Sequence, residues 1–398
     1  MKKYLSCLLA VLLFLTACST NEKLDEENID KPSKSELYAE KTMANMTLKE
    51  KIGQMLIVSD DSTIADEELL NKLKEIKPGG FILFSENFES YEQATKLIND
   101  INSTSTIPMF MSIDQEGGRV QRIKSLSDQE VTIFPPMYDL GLTNDEKLAY
   151  DVGRIMGEEL RAFNINMDFA PVLDIYSNPL NTVIGNRSFG TTSETVSTMA
   201  LSFSKGLMST GIIPVYKHFP GHGDTAEDSH HTLPVIIKTK EELMDLELKP
   251  FIEAINNGAE IIMVGHLAVP NITQNNTPSS LSKEIVTGLL KEELNFEGLV
   301  ITDALNMGAL TSEYTEEEIY IQAINAGVDI LLMPEFDQTT IDIIENAIAT
   351  GIIAEEEINN SVEKILELKY DKLWAENNYT KEYLNSLEHQ QIVAKINS

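Results

Sequence analysis

Short apolar runs and longer amphipathic stretches alternate along the chain from about residue 44. The short runs are rich in β-branched residues and end at Gly, Pro, Asp or His, which is typical of buried parallel strands. Eight runs are predicted as strands: Gln54–Val58, Gly80–Phe84, Met109–Ile113, Met167–Leu173, Ile213–Tyr216, Glu260–Val264, Leu299–Ile301 and Asp329–Met333. The longer stretches have apolar residues at three- and four-residue spacing, which predicts helices. They include Asp66–Ile76, Tyr91–Ile101, Leu148–Phe163, Glu241–Asn256, Lys283–Leu294, Ile341–Ala349 and Glu355–Leu373.

Alternating strands and helices predict a parallel sheet with crossover helices, and eight repeats are the number that closes a (β/α)8 barrel. An open, doubly wound sheet is the alternative. Such a sheet usually has a Gly-rich dinucleotide loop after its first strand, and Val58-Ser59-Asp60-Asp61 is not such a loop. We therefore predict a single TIM-type α/β barrel. About 25 residues follow the last predicted helix, too few for a second domain.

Composition excludes several classes of protein. The chain has 398 residues, 42% of them hydrophobic and 24% charged, so wholesale disorder is excluded. A formal net charge of −32 repels phosphate backbones, and no nucleic-acid partner is expected. Both cysteines lie within the first 18 residues, which excludes a disulfide framework or a thiolate zinc site in the remainder.

The first 18 residues have the pattern of a bacterial export signal. Two lysines precede an apolar run, Leu5–Phe14, that is too short to span a bilayer. The following Leu15-Thr16-Ala17-Cys18 resembles the lipobox of bacterial lipoproteins. This resemblance implies that the signal is removed and that Cys18 is acylated. A plain signal peptide, cut at a nearby small residue, is the alternative.

These segments predict a simple organisation. Residues 1–17 are expected to be a lipoprotein signal peptide, and residues 18–36 an acylated cysteine with a flexible polar linker. Residues 37–373 would form the TIM barrel, and residues 374–398 a C-terminal tail. We expect an extracytoplasmic protein that is held on a bacterial membrane by its lipid anchor.

Charged and imidazole side chains follow five of the predicted strands directly. In strand order these are Asp114-Gln115-Glu116-Gly117-Gly118-Arg119, then Asp174, then Lys217-His218-Phe219-Pro220-Gly221-His222-Gly223-Asp224, then Gly265-His266, and finally Thr302-Asp303. Active sites of TIM barrels lie at the C-terminal ends of the strands, because the loops converge there. The sequence therefore predicts an active site at this rim.

Arginine usage points to the same place. The chain has five arginines against 26 lysines, and an arginine supplies a planar, multidentate donor that a lysine cannot. Arg122 and Arg187 are predicted in loops beside the mouth of the barrel, where a sugar or a carboxylate would bind. Arg154 and Arg161 fall in a predicted helix and are expected on its solvated face.

The histidines allow two interpretations. Five of the six lie within 49 residues, close to Asp224 and Asp228. A His-x-x-x-His spacing with nearby carboxylates is typical of metal ligands, but Pro220, Gly221 and Gly223 break the helix that would align His218 with His222. The alternative is acid–base catalysis, because Asp228 stands two residues from His230 and a carboxylate raises the basicity of an imidazole. We expect no metal.

Five blocks resemble the signature of family 3 glycoside hydrolases, and most closely its bacterial β-N-acetylglucosaminidase branch. They lie in family order within residues 44–310, and together they are highly specific. The blocks are Met46-Thr47-Leu48-Lys49-Glu50-Lys51-Ile52-Gly53-Gln54-Met55, Ile113-Asp114-Gln115-Glu116-Gly117-Gly118-Arg119-Val120-Gln121-Arg122, Gly185-Asn186-Arg187-Ser188-Phe189, Lys217-His218-Phe219-Pro220-Gly221-His222-Gly223-Asp224-Thr225 with Asp228-Ser229-His230-His231-Thr232-Leu233-Pro234, and Ile301-Thr302-Asp303-Ala304-Leu305-Asn306-Met307.

The resemblance implies a retaining, two-step mechanism. Asp303 would be the nucleophile that forms a covalent glycosyl-enzyme, and His230, tuned by Asp228, would be the acid and then the base. Further side chains would hold the sugar hydroxyls and the acetamido group: Asp114, Arg122, Arg187, Lys217 and His218. Many relatives have a second Asp where this chain has Ala304, which puts only an auxiliary contact in doubt.

Chain length bears on the identity of the acid. The β-glucosidase and xylosidase members of the family usually take their acid–base carboxylate from a second domain. No such domain is predicted here, so the acid must come from the barrel, and Asp228-Ser229-His230 is the available group. A histidine is never anionic, so phosphate could replace water as the acceptor, and phosphorolysis of the same bond is an alternative.

The resulting expectation is a monomeric exo-β-N-acetylhexosaminidase without a cofactor. It would remove terminal β-linked N-acetylglucosamine (GlcNAc) from cell-wall or related glycans, including muropeptide fragments, in peptidoglycan turnover. Two alternatives come from other classes. One is a catalytically silent, lipid-anchored sugar-binding barrel, and the other is a metal-dependent barrel hydrolase.

Overall fold

The strands form the barrel that the sequence predicts. A computed structural model describes residues 32–124, 126–225 and 233–397. Its ten strands in chain order are β1 Leu56–Val58, β2 Gly80–Leu83, β3 Phe110–Ile113, β4 Gln115–Gly117, β5 Val120–Gln121, β6 Met167–Asp168, β7 Ile213–Phe219, β8 Ile261–Val264, β9 Leu299–Thr302 and β10 Leu331–Leu332. Strands β4 and β5 form an antiparallel hairpin, and the other eight form one parallel sheet.

The sheet curves until its two ends meet. Its strand order is β10-β1-β2-β3-β6-β7-β8-β9, with Leu56 opposite Leu331 at the β1–β10 pair. At the other end Ile301 of β9 forms a parallel bridge with Ile330, directly before β10. The amide of Thr302 also donates to the carbonyl of Ile330 at 3.1 Å. The prediction of a (β/α)8 TIM-type barrel is confirmed.

Helices surround the strands. In chain order they are α1 Lys34–Met43, α2 Leu48–Gln54, α3 Glu67–Ile76, α4 Tyr91–Asn102, α5 Met137–Leu142, α6 Glu146–Ala162, α7 Ser193–Met208, α8 Lys240–Asp245, α9 Lys249–Asn256, α10 Pro270–Thr273, a π-helix Glu284–Glu293, α11 Gly308–Thr311, α12 Glu316–Ala326, α13 Gln338–Ala349, α14 Glu355–Leu373 and α15 Leu387–Ala394. Short 3-10 turns lie at Ser85–Asn87, Gly185–Arg187, Ser279–Leu281, Lys381–Tyr383 and Lys395–Asn397.

Local chemistry explains where several helices begin. Thr47, Ser90, Thr239 and Thr315 each form a capping box, in which the cap hydroxyl and a Glu or Gln three residues later satisfy free backbone amides. One predicted helix, residues 241–256, is instead two helices, α8 and α9. Pro250 lies at the start of α9, and a proline cannot continue a helix because it has no amide hydrogen.

The chain outside the barrel is also folded against it. Helix α1 begins at Lys34 and packs on α14, where the rings of Tyr38 and Tyr370 are 5.0 Å apart. At the other end α15 packs on α6. Arg154, expected on a solvated face, is therefore half-buried between Glu158 and Glu388, and the expectation for Arg154 was wrong.

Two predicted features cannot be located in this structure. Cys18, Asp228 and His230 lie outside the described residues. Within the described part of the chain, no helix is both long enough and apolar enough to cross a membrane.

Candidate active site

A cavity of about 220 Å³ lies at the C-terminal ends of the barrel strands, at the rim that the sequence predicts. Strands β3, β7 and β9, the β4–β5 hairpin and the loop after β6 contribute its walls. The lining residues are Asp114, Val120, Arg122, Val183, Arg187, Lys217, His218, His222, Asp303 and Met307. Six predicted site residues are thus brought together: Asp114, Arg122, Arg187, Lys217, His218 and Asp303.

A larger cavity of about 480 Å³ lies at the opposite end of the barrel. Its walls include Gln54 and Ile107, which precede strands β1 and β3. Among its described lining residues the one carboxylate is Glu50, which is paired with Lys77. The smaller cavity instead brings together carboxylates, cations and imidazoles from several strand ends, so we place the candidate active site there.

Lys217 of β7 is the centre of a buried ion network. Its Nζ lies 2.6 Å from Oδ1 of Asp114 and 2.7 Å from Oε1 of Glu116. Arg122 Nη2 is 3.1 Å from the second oxygen of Asp114. Arg187 holds both oxygens of Glu116, through Nε and Nη2 at 2.7 Å each. Removing one partner of such a buried pair costs about 3–5 kcal/mol, so this network also stabilises the rim.

The network keeps both carboxylates charged. Burial by itself would raise the pKa of Asp114 and Glu116. For Asp114 the positive charges of Lys217 and Arg122 outweigh burial and lower the pKa. For Glu116 the charges of Arg187 and Lys217 outweigh burial and lower the pKa in the same way. Both groups are therefore acceptors at neutral pH, suited to binding hydroxyl and amide hydrogens of a neutral ligand.

Asp174, in the segment after β6, holds two histidines of the β7 loop. Its carboxylate accepts from the backbone amide of His222 at 2.6 Å and from the backbone amide of His218 at 3.3 Å. Nδ1 of His218 lies 2.6 Å from the other oxygen of Asp174, and its Nε2 lies 3.5 Å from Nη2 of Arg187. Asp174 and Arg187 thus orient the His218 ring at the wall of the cavity.

His222 is neutral in this environment. Burial is the main reason that its pKa is lowered to about 4, although Asp174 opposes the shift. Its Nδ1 lies 2.7 Å from the hydroxyl of Thr225. The side chain therefore contributes polarity to the cavity without a positive charge.

Asp303 follows β9 and faces the same cavity. Its backbone amide donates to the carbonyl of Val264 at 2.9 Å, and its Oδ1 accepts from the amide of Ala304 at 2.8 Å. Burial would raise the pKa of Asp303, but the imidazoles of His218 and His266 and the Ala304 amide outweigh burial and lower it. Asp303 is thus an ionised carboxylate, the protonation state that a nucleophile requires.

Asp168, at the end of β6, lies beneath the network. One of its oxygens accepts from the amide of Gln115 at 2.9 Å, while the other has no hydrogen-bond partner in the described structure. Burial raises the pKa of Asp168 well above its ordinary value, and the charges of Lys217, Asp114 and Glu116 lie nearby. Asp168 supports the turn into the β4–β5 hairpin.

From the sequence, Glu116, Asp174 and His222 were placed after strand ends at this rim, but none of them was assigned a role in sugar binding or acid–base catalysis. Their positions in the sequence indicated that they lie near the site, because each is within eight residues of the end of a predicted strand. The sequence did not indicate which residue each of them contacts: Glu116 pairs with Arg187, which is 71 residues away in the chain.

In residues 32–124, 126–225 and 233–397 no group of three or more His, Cys, Asp or Glu side chains is arranged to hold a metal ion.

Comparison with protein families identifies one match over most of the chain. The sequence model of the glycosyl hydrolase family 3 N-terminal domain matches residues 47–368. These residues include the whole barrel and every described wall of the candidate site.

Individual relatives agree with that match. β-Hexosaminidase A of Pseudoalteromonas piscicida is 33% identical over 335 residues, which are 77% of this chain and 56% of the relative. This chain thus spans little more than half of that protein. β-Hexosaminidase LpqI of Mycobacterium tuberculosis is 31% identical over 338 residues, which are 82% of this chain and 84% of the relative.

A solved structure gives the same result for the fold. The family 3 β-N-acetylglucosaminidase from Paenibacillus sp. str. FPU-7 superimposes with a TM-score of 0.82 at 37% sequence identity. The match covers 88% of this chain and 68% of that one.

Proposed function

The chain belongs to glycosyl hydrolase family 3 and by homology to its β-hexosaminidases, and from this premise we propose that it is a retaining, exo-acting β-N-acetylhexosaminidase. The reaction would hydrolyse terminal β-linked GlcNAc from cell-wall or related glycans. One observation carries the proposal: an ionised Asp303 faces a small cavity whose walls include the ion-paired Asp114, Lys217 and Arg122.

In the first step of the proposed reaction, Asp303 attacks the anomeric carbon of the sugar. The bond from that carbon to the leaving oxygen breaks, and His230 protonates the oxygen. In the second step, His230 removes a proton from water, and the water oxygen displaces Asp303 from the anomeric carbon. Two inversions give net retention, and both side chains return to their starting states.

The described walls suit a neutral sugar. Asp114 offers carboxylate oxygens to hydroxyl hydrogens, while Lys217, Arg122 and Arg187 offer donors to hydroxyl and acetamido oxygens. A substrate that lacks one of these groups would leave a buried charge with fewer partners, which costs binding energy. A volume of about 220 Å³ is below the usual range of about 300–1,000 Å³ for ligand pockets, which supports binding of one terminal sugar ring rather than a stretch of chain.

A panel of p-nitrophenyl β-glycosides tests this function. We expect kcat/KM for the GlcNAc glycoside to exceed that for the glucoside and the xyloside by at least about 10³-fold, because those sugars lack the acetamido group. The galacto epimer, GalNAc, completes the panel, and proton NMR should show the β-anomer as the first product. An α-anomer or a preference for glucose would refute the assignment.

Two additions to the same panel decide between the alternatives. Phosphate should leave the rate unchanged if water is the acceptor, whereas formation of GlcNAc 1-phosphate would establish phosphorolysis. A chelator should leave the rate unchanged as well, and loss of activity that zinc restores would establish a metal-dependent hydrolase.

We also propose that the enzyme is attached to a bacterial membrane through acylated Cys18, on the strength of the Leu15-Thr16-Ala17-Cys18 motif. Stable anchoring by lipid requires more than one acyl chain, which a lipoprotein modification supplies. In cells that express the full chain, radiolabelled palmitate should label the wild type and not Cys18→Ser. Equal labelling of both would contradict the anchor, and Cys7→Ser is the matched control that should label normally.

A further inference from the structure

A buried histidine of the C-terminal tail lies between two carboxylates of α6. Nδ1 of His389 is 2.9 Å from Oε1 of Glu159, and its Nε2 is 3.0 Å from Oε2 of Glu158. Carboxylates accept, so both ring nitrogens must carry hydrogen, and His389 is an imidazolium. Burial opposes that charge, but Glu158 and Glu159 outweigh burial and raise the pKa of His389 to about 9.

Glu159 connects this cation to the loop that contains Thr132. Its carboxylate accepts from the amide of Thr132 at 3.1 Å and from the Thr132 hydroxyl. It also accepts from the amide of Asn385 in the tail at 2.8 Å. Glu159 is 5% exposed, so without His389 it would be a buried charge with one fewer compensating partner.

The loop is in turn hydrogen-bonded to the hairpin of the active site. Nε2 of Gln121 donates to the carbonyl of Thr132 at 2.8 Å, and Oε1 of Gln121 accepts from the amide of Phe134 at 3.0 Å. The amide of Gly118 donates to the carbonyl of Phe134 at 2.9 Å. Gln121 precedes Arg122, whose guanidinium holds Asp114 in the cavity. An unbroken series of contacts thus joins the tail to a wall of the site.

We propose that His389 is a positioning residue for the active site: its imidazolium holds Glu159, which holds Thr132 and so the hairpin that carries Arg122. The kinetic test of this inference rests on the proposed function, because it measures hydrolysis of the GlcNAc glycoside. It assigns a role to the tail, which lies beyond residue 368, where the match to the family ends. The tail is therefore a part of the sugar-binding apparatus, not only a cover for α6.

The first test compares His389→Ala with the wild-type chain on the GlcNAc glycoside. A displaced Arg122 weakens binding of the ground state and the transition state alike, so KM should rise about tenfold and kcat should change less than about twofold. The matched control is Glu388→Gln, which removes an exposed tail carboxylate that contacts Arg154. It should leave both constants unchanged. Equal KM values for His389→Ala and the wild type would overturn the inference.

A double-mutant cycle separates positioning from general destabilisation. If His389 acts through Arg122, the His389→Ala change should raise KM less than about twofold in an Arg122→Ala background. A full tenfold rise in that background would overturn the inference. If His389→Ala does not fold, Thr132→Val removes the hydroxyl contact to Glu159 and keeps the amide contact, so it should give a smaller rise in KM with the same non-additivity.

Hydrogen exchange provides a readout that does not depend on turnover. In His389→Ala the amides of residues 126–136 should exchange at least about tenfold faster than in the wild type, while those of strand β9 should not change. Unchanged exchange in residues 126–136 would refute the coupling. An inactive wild type would refute the proposed function alone, and the exchange data would then decide the role of His389.

Discussion

Replacing Asp303 with alanine is expected to lower kcat for the p-nitrophenyl GlcNAc glycoside by a factor on the order of 10⁴ or more. Without the carboxylate no covalent intermediate forms, and no other group has an equivalent place. Two other described carboxylates at this rim are already paired: Asp114 with Lys217 and Arg122, and Asp174 with His218. Loss of Asp303 is therefore not compensated.

The Asp303→Ala variant allows a sharper test than loss of activity. The truncated side chain leaves space on one face of the sugar, where an added anion such as azide can attack the anomeric carbon. Attack from that face, without a second inversion, should give the α-glycosyl azide, and turnover should recover with azide concentration. A variant that retains wild-type hydrolysis would exclude Asp303 as the nucleophile.

A matched control separates the loss of this carboxylate from a general change in charge. Asp337 caps α13 after the neighbouring strand β10, and asparagine can also serve as a helix cap. Asp337→Asn therefore removes a negative charge near the same end of the barrel and should keep kcat within about twofold. A large loss in Asp337→Asn would mean that the effect of Asp303→Ala is electrostatic and not nucleophilic.

The second large effect is expected from His230→Ala. Three titratable side chains of the described walls are unsuited to protonate the leaving oxygen at neutral pH. The pKa values of Asp114, Asp303 and His222 are all lowered, so none of the three carries its acidic proton at neutral pH. General acid catalysis is worth about 10²–10⁴ in rate, so we expect a loss of that size on a GlcNAc disaccharide.

The leaving group provides the check on this role. A 2,4-dinitrophenolate needs little protonation, so His230→Ala should retain most of the rate of the first step with that aglycone. The disaccharide should suffer the full loss. His231→Ala, one residue away in the same motif, is the matched control and should behave as the wild type. Equal losses with both aglycones would contradict an acid role for His230.

The fold was predictable to a large extent from the sequence. Eight apolar runs correspond to the eight strands of the barrel, because a strand that is buried on both faces needs continuous apolar residues. The predicted end of a strand was less accurate where the apolar run contains a proline. The fourth run was predicted to extend from Met167 to Leu173. The regular strand ends at Asp168, and beyond it the chain pairs at single positions, such as Val172 with Lys217, on both sides of Pro171, which has no amide hydrogen to donate.

The candidate site was predictable as a set of residues but not as a network. Parallel strands place all their C-terminal ends at one rim, so polar residues after those ends must lie near one another. Which cation pairs with which carboxylate does not follow from that rule. Lys217 and Asp114 are 103 residues apart, and no local pattern indicates that Lys217 bridges Asp114 to Glu116.

The sequence by itself determined the barrel, the rim that carries the chemistry and the identity of most of the residues there, because these depend on periodicity and on what directly follows each strand. Only the tertiary structure decided how the charges are paired and that the tail packs on α6. His389 and Glu159 are 230 residues apart, and their contact depends on how α15 packs on α6. Such contacts arise from the packing of whole elements, which local spacing does not encode.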